Sequence, residues 1–306
     1  MNVQLDSRAT GSGKIATIVY DRQSKLNSLN GAGIKELKAA FQNVAKDTEL
    51  RGLIFTGAGP KSFIGGADIN ELNELNEKTS REFITSLHEL FILIRNMEVP
   101  TIARVNGYSL GAGMELAAAC DIRIASSTAI FGMPEVKVGV PSVIEAALLP
   151  RLVGWGRANY LVLTGENIDA NTAYDWGFVE KVVEAKDLDE EIQQLTDIIA
   201  NCGPLATRNQ KRLINTWERL PLEKAITAGI DSFSTAFSTE EPKFVFRGPL
   251  GAVFLTMLLM SILLTFDVTG NTYDENVVQY KFWYSFLFML MAVSYTHLTL
   301  PTKRIV

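Results

Sequence analysis

Cysteine and histidine are almost missing from this chain. Two cysteines, Cys120 and Cys202, and two histidines, His88 and His297, are spread over 306 residues. So few thiols cannot build a disulfide framework, and no Cys/His spacing matches a metal site. Both thiols are expected to be buried or incidental, in a reducing compartment. An excess of positive charge is lacking too: the net charge of -5 gives no electrostatic basis for binding nucleic acid. Residues 1–6 have neither the basic-then-apolar order of a secretory signal nor the Arg-rich character of a transit peptide, so the cytoplasm is the default expectation. No internal repeat and no low-complexity run is visible.

Apolar residues, at 47%, suffice for a full core in a chain of this length. Their distribution changes near Lys243. Residues 244–306 hold only 7 of the 63 charged side chains and carry apolar runs at 250–266 and 282–291. The first run is at the short limit for a membrane span and the second is brief, so one reading is a membrane hairpin. The other starts from residues 293–302, which resemble the translation of a sequencing-library adaptor. On that reading 244–306 is a non-native, read-through or adaptor-derived tail, set aside from fold reasoning. The membrane becomes a partner only if the tail is native.

Ahead of the tail, short apolar runs alternate with helical periodicity. Residues 14–20 and 53–56 predict strands rich in β-branched side chains, with a helix over 33–46 between them. Residues 82–97 predict an amphipathic helix stopped by Pro100, and 101–105 a further strand. A tight glycine-rich turn over 106–111 then opens a helix through Ala119, and 121–125 forms another strand. Residues 131–141 read as extended and loop-like, and 143–153 as an apolar helix. Beyond these, helices are predicted over 158–163, 170–176, 188–201, 207–217 and 223–237, with 178–183 as the exception. Repeated strand, glycine-rich loop and helix units predict an α/β fold with mainly parallel crossovers. Ligands in such folds bind beyond the carboxyl ends of the strands.

Two glycine-rich loops are the chemical candidates: residues 57–68, with Gly65, Gly66, Ala67 and Asp68, and residues 106–113, with Gly111 and Ala112. Each leaves backbone N–H groups where an acceptor can approach, and two such donors suit an oxyanion. Glu115 falls in the first turn of the helix after the second loop, and Glu135 follows Pro134 about twenty residues on. Two carboxyls beside an anion-stabilising site suit general acid–base work if their environments separate their proton affinities. Alone, Glu115 reads better as a charge favoured by the helix dipole and Glu135 as a solvated loop residue, while Asp68 reads equally as an N-cap for a helix beginning at Ile69 and as a ligand contact. Glu145 reads as a first-turn charge, and His88 as a polar-face residue with no catalytic role.

The order of these motifs carries a resemblance. Ile64-Gly65-Gly66-Ala67-Asp68-Ile69, Asn106-Gly107, Gly111-Ala112-Gly113-Met114-Glu115-Leu116, Cys120-Asp121 and Phe131-Gly132-Met133-Pro134-Glu135 resemble successive signatures of the enoyl-CoA hydratase/isomerase (crotonase) superfamily, over roughly residues 14–242. The resemblance implies a spiral of ββα units at residues 1–200 followed by a helical, trimerisation-type region at 201–243. It implies a homotrimer or hexamer that binds an acyl-CoA thioester without metal or redox cofactor, with mitochondrial and peroxisomal locations also open. Position by position, it places an oxyanion hole at the N–H groups of Ala67 and Ala112 and catalysis at Glu115 and Glu135. Lys25 and Leu26 match the loop that grips CoA, with Gly65, Gly66, Asp68, Ile69, Gly111 and Pro134 as further substrate contacts. The implied activity is hydration of a 2-enoyl-CoA. Alternatives are a Δ3,Δ2-enoyl-CoA isomerase, a hydroxyacyl-CoA dehydratase, or a membrane-anchored or non-catalytic acyl-CoA-binding relative. One departure stands out: where hydratases often carry a glycine-rich turn after the second glutamate, this chain has Pro141-Ser142-Val143-Ile144-Glu145-Ala146.

Overall fold

The computed structural model describes residues 2–247, with side chains up to Phe244. It opens on a strand that no apolar pattern announces, β1 (Val3–Thr10), paired antiparallel with β2 (Gly13–Tyr20). Six of the eight β1 residues are exposed, so alternation, the usual sign of a strand, is missing.

Next come α1 (Gly31–Val44), β3 (Leu50–Gly57), β4 (Ser62–Ile64), α2 (Ile69–Asn73) and α3 (Glu77–Arg95). A second turn of the same plan follows: β5 (Thr101–Val105), β6 (Tyr108–Leu110) and α4 (Ala112–Ala119). The third has β7 (Ile122–Ser126), β8 (Ile130–Gly132), 3-10 turns at Pro134–Val138 and Ile144–Leu148, α5 (Leu149–Val153) and α6 (Trp155–Thr164). The chain continues through β9 (Asn167–Asp169), α7 (Ala170–Asp175), β10 (Lys181–Val183), α8 (Leu188–Asn201), α9 (Pro204–Trp217), α10 (Leu222–Ala236) and α11 (Glu241–Arg247).

Three times, then, a long strand is followed by a short strand and then by helix. The long strands form a six-stranded sheet in the order β1-β2-β3-β5-β7-β10, and the short ones a four-stranded sheet in the order β4-β6-β8-β9. Every pairing is parallel except β1 with β2 and β8 with β9. This is the expected spiral of ββα units. Two expectations are corrected. The turn predicted over 106–111 contains β6, too short for a periodic signal. The single helix predicted over 143–153 is a 3-10 turn that passes into α5, because Ile144 adopts a left-handed φ of 43°.

Side chains at helical spacing seal the layers. Ile34, Leu37, Phe41 and Val44 of α1 and Phe83, Leu87, Leu90, Phe91 and Ile94 of α3 are buried in one core with Phe55, Phe63 and Phe131. Asn30 caps α1 by accepting from the Gly33 N–H at 2.9 Å, and Asn76 forms a capping box with Thr79 at the start of α3. Two buried amides brace the crossings between sheets. Asn27 Nδ2 donates to the carbonyls of Ala58 and Ser62 at 3.0 and 2.8 Å. Asn106 Nδ2 donates to Gly57 O at 2.9 Å and also reaches Gly59 O and Ser62 O.

Residues through Leu222 form one compact unit, and the described part of a second unit comprises α10, from Glu223 on, and α11. Along α10, Ile226, Ile230 and Phe233 are exposed, as is Phe237 just beyond it. Among the described residues no helix is long and apolar enough to cross a membrane. The apolar runs at 250–266 and 282–291 lie outside the described residues.

Replacing the Asn106 amide removes a donor from the buried Gly57 carbonyl and one of the two amides on Ser62 O. Asn106→Ala is expected to cost about 2 to 3 kcal/mol of unfolding free energy, read as a lower urea midpoint with an unchanged slope. A midpoint equal to that of the parent would contradict the bracing role.

Candidate active site

The site is built where the second spiral turn meets the first. β6 ends at Leu110, and Gly111 turns the chain with φ 51° and ψ -118°, a conformation closed to side-chain-bearing residues. Helix α4 begins at once with Ala112 and Gly113. A Cβ at Gly113 would overlap the Ile64 carbonyl oxygen, so the helix start packs directly on the end of β4. The loop leaving β4 is therefore alongside. Its Gly65 N–H donates to Leu26 O at 2.9 Å, and Leu29 bridges Gly66 O and the Asp68 N–H at 2.8 Å each. In that parallel bridge Ala67 turns its own N–H away from Leu29. The Ala112 N–H, first in its helix, has no intrahelical acceptor. No hydrogen bond within the described residues engages either N–H.

Two glutamates lie at the same helix start. Glu115 is buried in the first turn of α4, 3% exposed, and its Oε1 accepts from the Ala146 N–H at 3.0 Å. Burial drives its carboxyl well above the ordinary range; the Ala146 N–H opposes this, and Glu135 and Glu145 add to it. Glu135 rides on the 3-10 turn after β8, with Oε2 accepting from Ser142 Oγ at 2.8 Å. A Cβ on Gly111 would overlap Glu135 Oε1, which puts this carboxyl against the α4 start. Burial also raises Glu135, against the Ser142 hydrogen bond. Each carboxyl thus has one oxygen fixed by a protein donor.

Of the other positions singled out from the sequence, Asp68 is the N-cap of α2, accepting from the Asn70 N–H at 2.9 Å, and is paired with Arg22 at 2.6 Å. Burial tends to raise its carboxyl, but the Arg22 and backbone hydrogen bonds outweigh this and hold it below the usual range. Lys25 closes a short 3-10 turn, and Leu26 after it is exposed with a left-handed φ of 52°. Ile69 is exposed at the start of α2, and Pro134 opens the 3-10 turn that carries Glu135. Lys25 is exposed and makes no side-chain contact that joins it to the glutamates. Sequence reasoning misses three contributors. Ser142 and the Ala146 N–H carry no pattern of their own. His88 does touch the site region: its Nδ1 lies 3.0 Å from Glu145 Oε1. Glu145 does fall in a first turn, where it is buried and paired with His88. Among the described residues no group of three or more His, Cys, Asp or Glu is arranged to hold a metal ion.

A spiral of ββα turns whose glycine-lined loops meet over buried carboxyls is the crotonase architecture. Residues 10–251 match the enoyl-CoA hydratase/isomerase family, and the chain belongs to that family. The match runs somewhat beyond residue 242, where the motif resemblance ends. The chain is similar to the short-chain-enoyl-CoA hydratase of Clostridium acetobutylicum, 39% identical over 232 residues that cover 76% of this chain and 89% of the relative. It is also similar to the carnitinyl-CoA dehydratase of Escherichia coli, 34% identical over 221 residues, with 71% and 82% covered. Among solved structures it resembles an enoyl-CoA hydratase from Bacillus anthracis with a TM-score of 0.74 and 32% identity, over 78% of this chain and 92% of the other.

The raised Glu115 carboxyl has a consequence for stability. A folded-state pKa above the unfolded value favours the fold fully below about pH 4, and that contribution is lost as pH rises through the folded value. Glu115→Gln, which mimics the protonated form, is therefore expected to match the parent near pH 4 and to exceed it at pH 8. Urea midpoints at the two pH values check this, and a gain independent of pH would refute it.

Proposed function

We propose that this chain adds water across the double bond of a 2-enoyl-CoA to give a 3-hydroxyacyl-CoA. The observation that carries the reading is the pairing of the two glutamates. Glu115 has Oε1 held by the Ala146 N–H and Glu135 has Oε2 held by Ser142, so each leaves one oxygen for a shared water. As the water oxygen bonds the β-carbon, one carboxyl takes its proton and the α-carbon gains a proton from the site. The double-bond electrons pass through the thioester into an enolate oxygen. The N–H groups of Ala67 and Ala112 receive that charge, each aimed donor contributing about 3 to 4 kcal/mol in comparable sites. Burial raises both carboxyls, Glu115 well above the ordinary range, so their environments set their proton affinities apart, as an acid and a base working together require.

The sum of the step is substrate plus water, with no net oxidation, so the step calls for no redox cofactor. The loop at Lys25 and Leu26 would hold the CoA end, beside Gly65 and Gly66, with Asp68, Ile69, Gly111 and Pro134 around the thioester. Support for the substrate class comes from the family and from the hydratase names of similar proteins. A homotrimer or hexamer is the assembly proposed with it, supported by the exposed Ile226, Ile230, Phe233 and Phe237 at α10.

The purified chain is expected to hydrate crotonyl-CoA, followed as loss of the enoyl thioester absorbance. Glu115→Gln and Glu135→Gln should each lower kcat by about 10²- to 10⁴-fold. Unchanged rates in either variant would remove that residue from the mechanism. Conversion of a 3-enoyl-CoA without any hydration of crotonyl-CoA would overturn the reading in favour of isomerisation.

A further inference from the structure

One pair beside the glutamates is left unused by this mechanism. Glu145 is 3% exposed, yet its carboxyl meets the half-exposed ring of His88 on α3, with Nδ1 3.0 Å from Oε1 and 3.2 Å from Oε2. The bifurcated approach suits an Nδ1–H donor to a carboxylate. Glu145 sits between two residues that matter. Before it, Ile144 holds a left-handed φ of 43°, a conformation costly for a β-branched side chain that persists only where its surroundings enforce it. After it, the Ala146 N–H has two acceptors at 3.0 Å: Glu115 Oε1, and Val143 O within its own 3-10 turn. How that one hydrogen is shared decides how firmly Glu115 is aimed.

We propose that His88 and Glu145 are a positioning pair, which clamps the Ile144–Ala146 segment to α3 so that the Ala146 N–H stays directed at Glu115. The inference rests on the hydratase reading for its kinetic test but not for its structural one. The ionisable groups that face Glu145 are His88 and Arg95 from α3 and Glu115 from α4. The clamp thus also fixes the distance between two buried carboxyls. Neither partner touches substrate in this scheme; both act through Glu115.

In the full-length chain His88→Ala is expected to lower kcat on crotonyl-CoA by about 10- to 100-fold with KM nearly unchanged, the penalty of a small misplacement. His88→Asn, whose amide nitrogen can stand where Nδ1 does, should restore most of the loss. Hydrogen–deuterium exchange of the peptide spanning 142–149 should quicken in His88→Ala and return to the parent rate in His88→Asn. Glu145→Leu should lose activity as His88→Ala does, and combining the two should add nothing further. Parent-like kcat and exchange in His88→Ala overturn the pair, as does a loss that His88→Asn leaves unrepaired or one that falls on KM. If the parent itself failed to hydrate crotonyl-CoA, the hydratase reading would fall, and the exchange rates would still decide the clamp.

Discussion

A carboxyl buried at the start of a helix, with a single N–H as its hydrogen-bond partner, is the constraint around which the surrounding structure is arranged. An ionised Glu115 in that position costs several kcal/mol unless something offsets it. The helix start contributes part, through the positive end of α4. The Ala146 N–H contributes another part, and what is left uncompensated holds the carboxyl well above its ordinary range. Placing such a group demands a helix that starts abruptly and lies close to its neighbours. Gly111 supplies the abrupt start and Gly113 the close approach to Ile64. The rest of α4 is apolar, from Met114 and Leu116 to Ala117, Ala118 and Ala119, and buried on all sides.

Such close approach leaves little tolerance for drift between spiral turns. The crossings from the large sheet to the small one are held by amides as well as by apolar packing. Asn27 and Asn106 both draw on the Ser62 carbonyl, one from the loop after β2 and the other from the loop after β5. Ser62 in turn donates to Leu26 O and Tyr108 O at 2.7 and 3.1 Å. One short strand, β4, is thereby tied to the loops on either side of it, and the positions of Ala67 and Ala112 follow from those ties.

The motifs legible in the amino-acid sequence are those that depend on residues too small to be replaced or on carboxyls at fixed intervals from them. Gly65 to Asp68 and Gly111 to Glu115 announce their loops because backbone must approach backbone there. Asp68 reads correctly as an N-cap because capping needs only a local hydrogen bond. The elements that escape lack such local signals. β1 exposes most of its residues, and β4, β6, β8 and β9 have three residues each, too few to establish a period. Ser142 and the Ala146 N–H act only because the segment after Glu135 folds back across α4. The link between His88 and Glu145 spans 57 residues and joins a helix face to a strained turn, neither of which marks the other in the sequence.

Both sheets are parallel in their interiors, and each is closed at one side by a single antiparallel strand, β1 on the large sheet and β9 on the small. A parallel spiral has no intrinsic length, since every turn leaves an open strand on which the next could form. A strand running the other way cannot begin another ββα unit in the same sense, so at those two edges propagation stops. Closure at those edges therefore resides in β1 and β9, and the chain ends its winding without relying on an outside cap there.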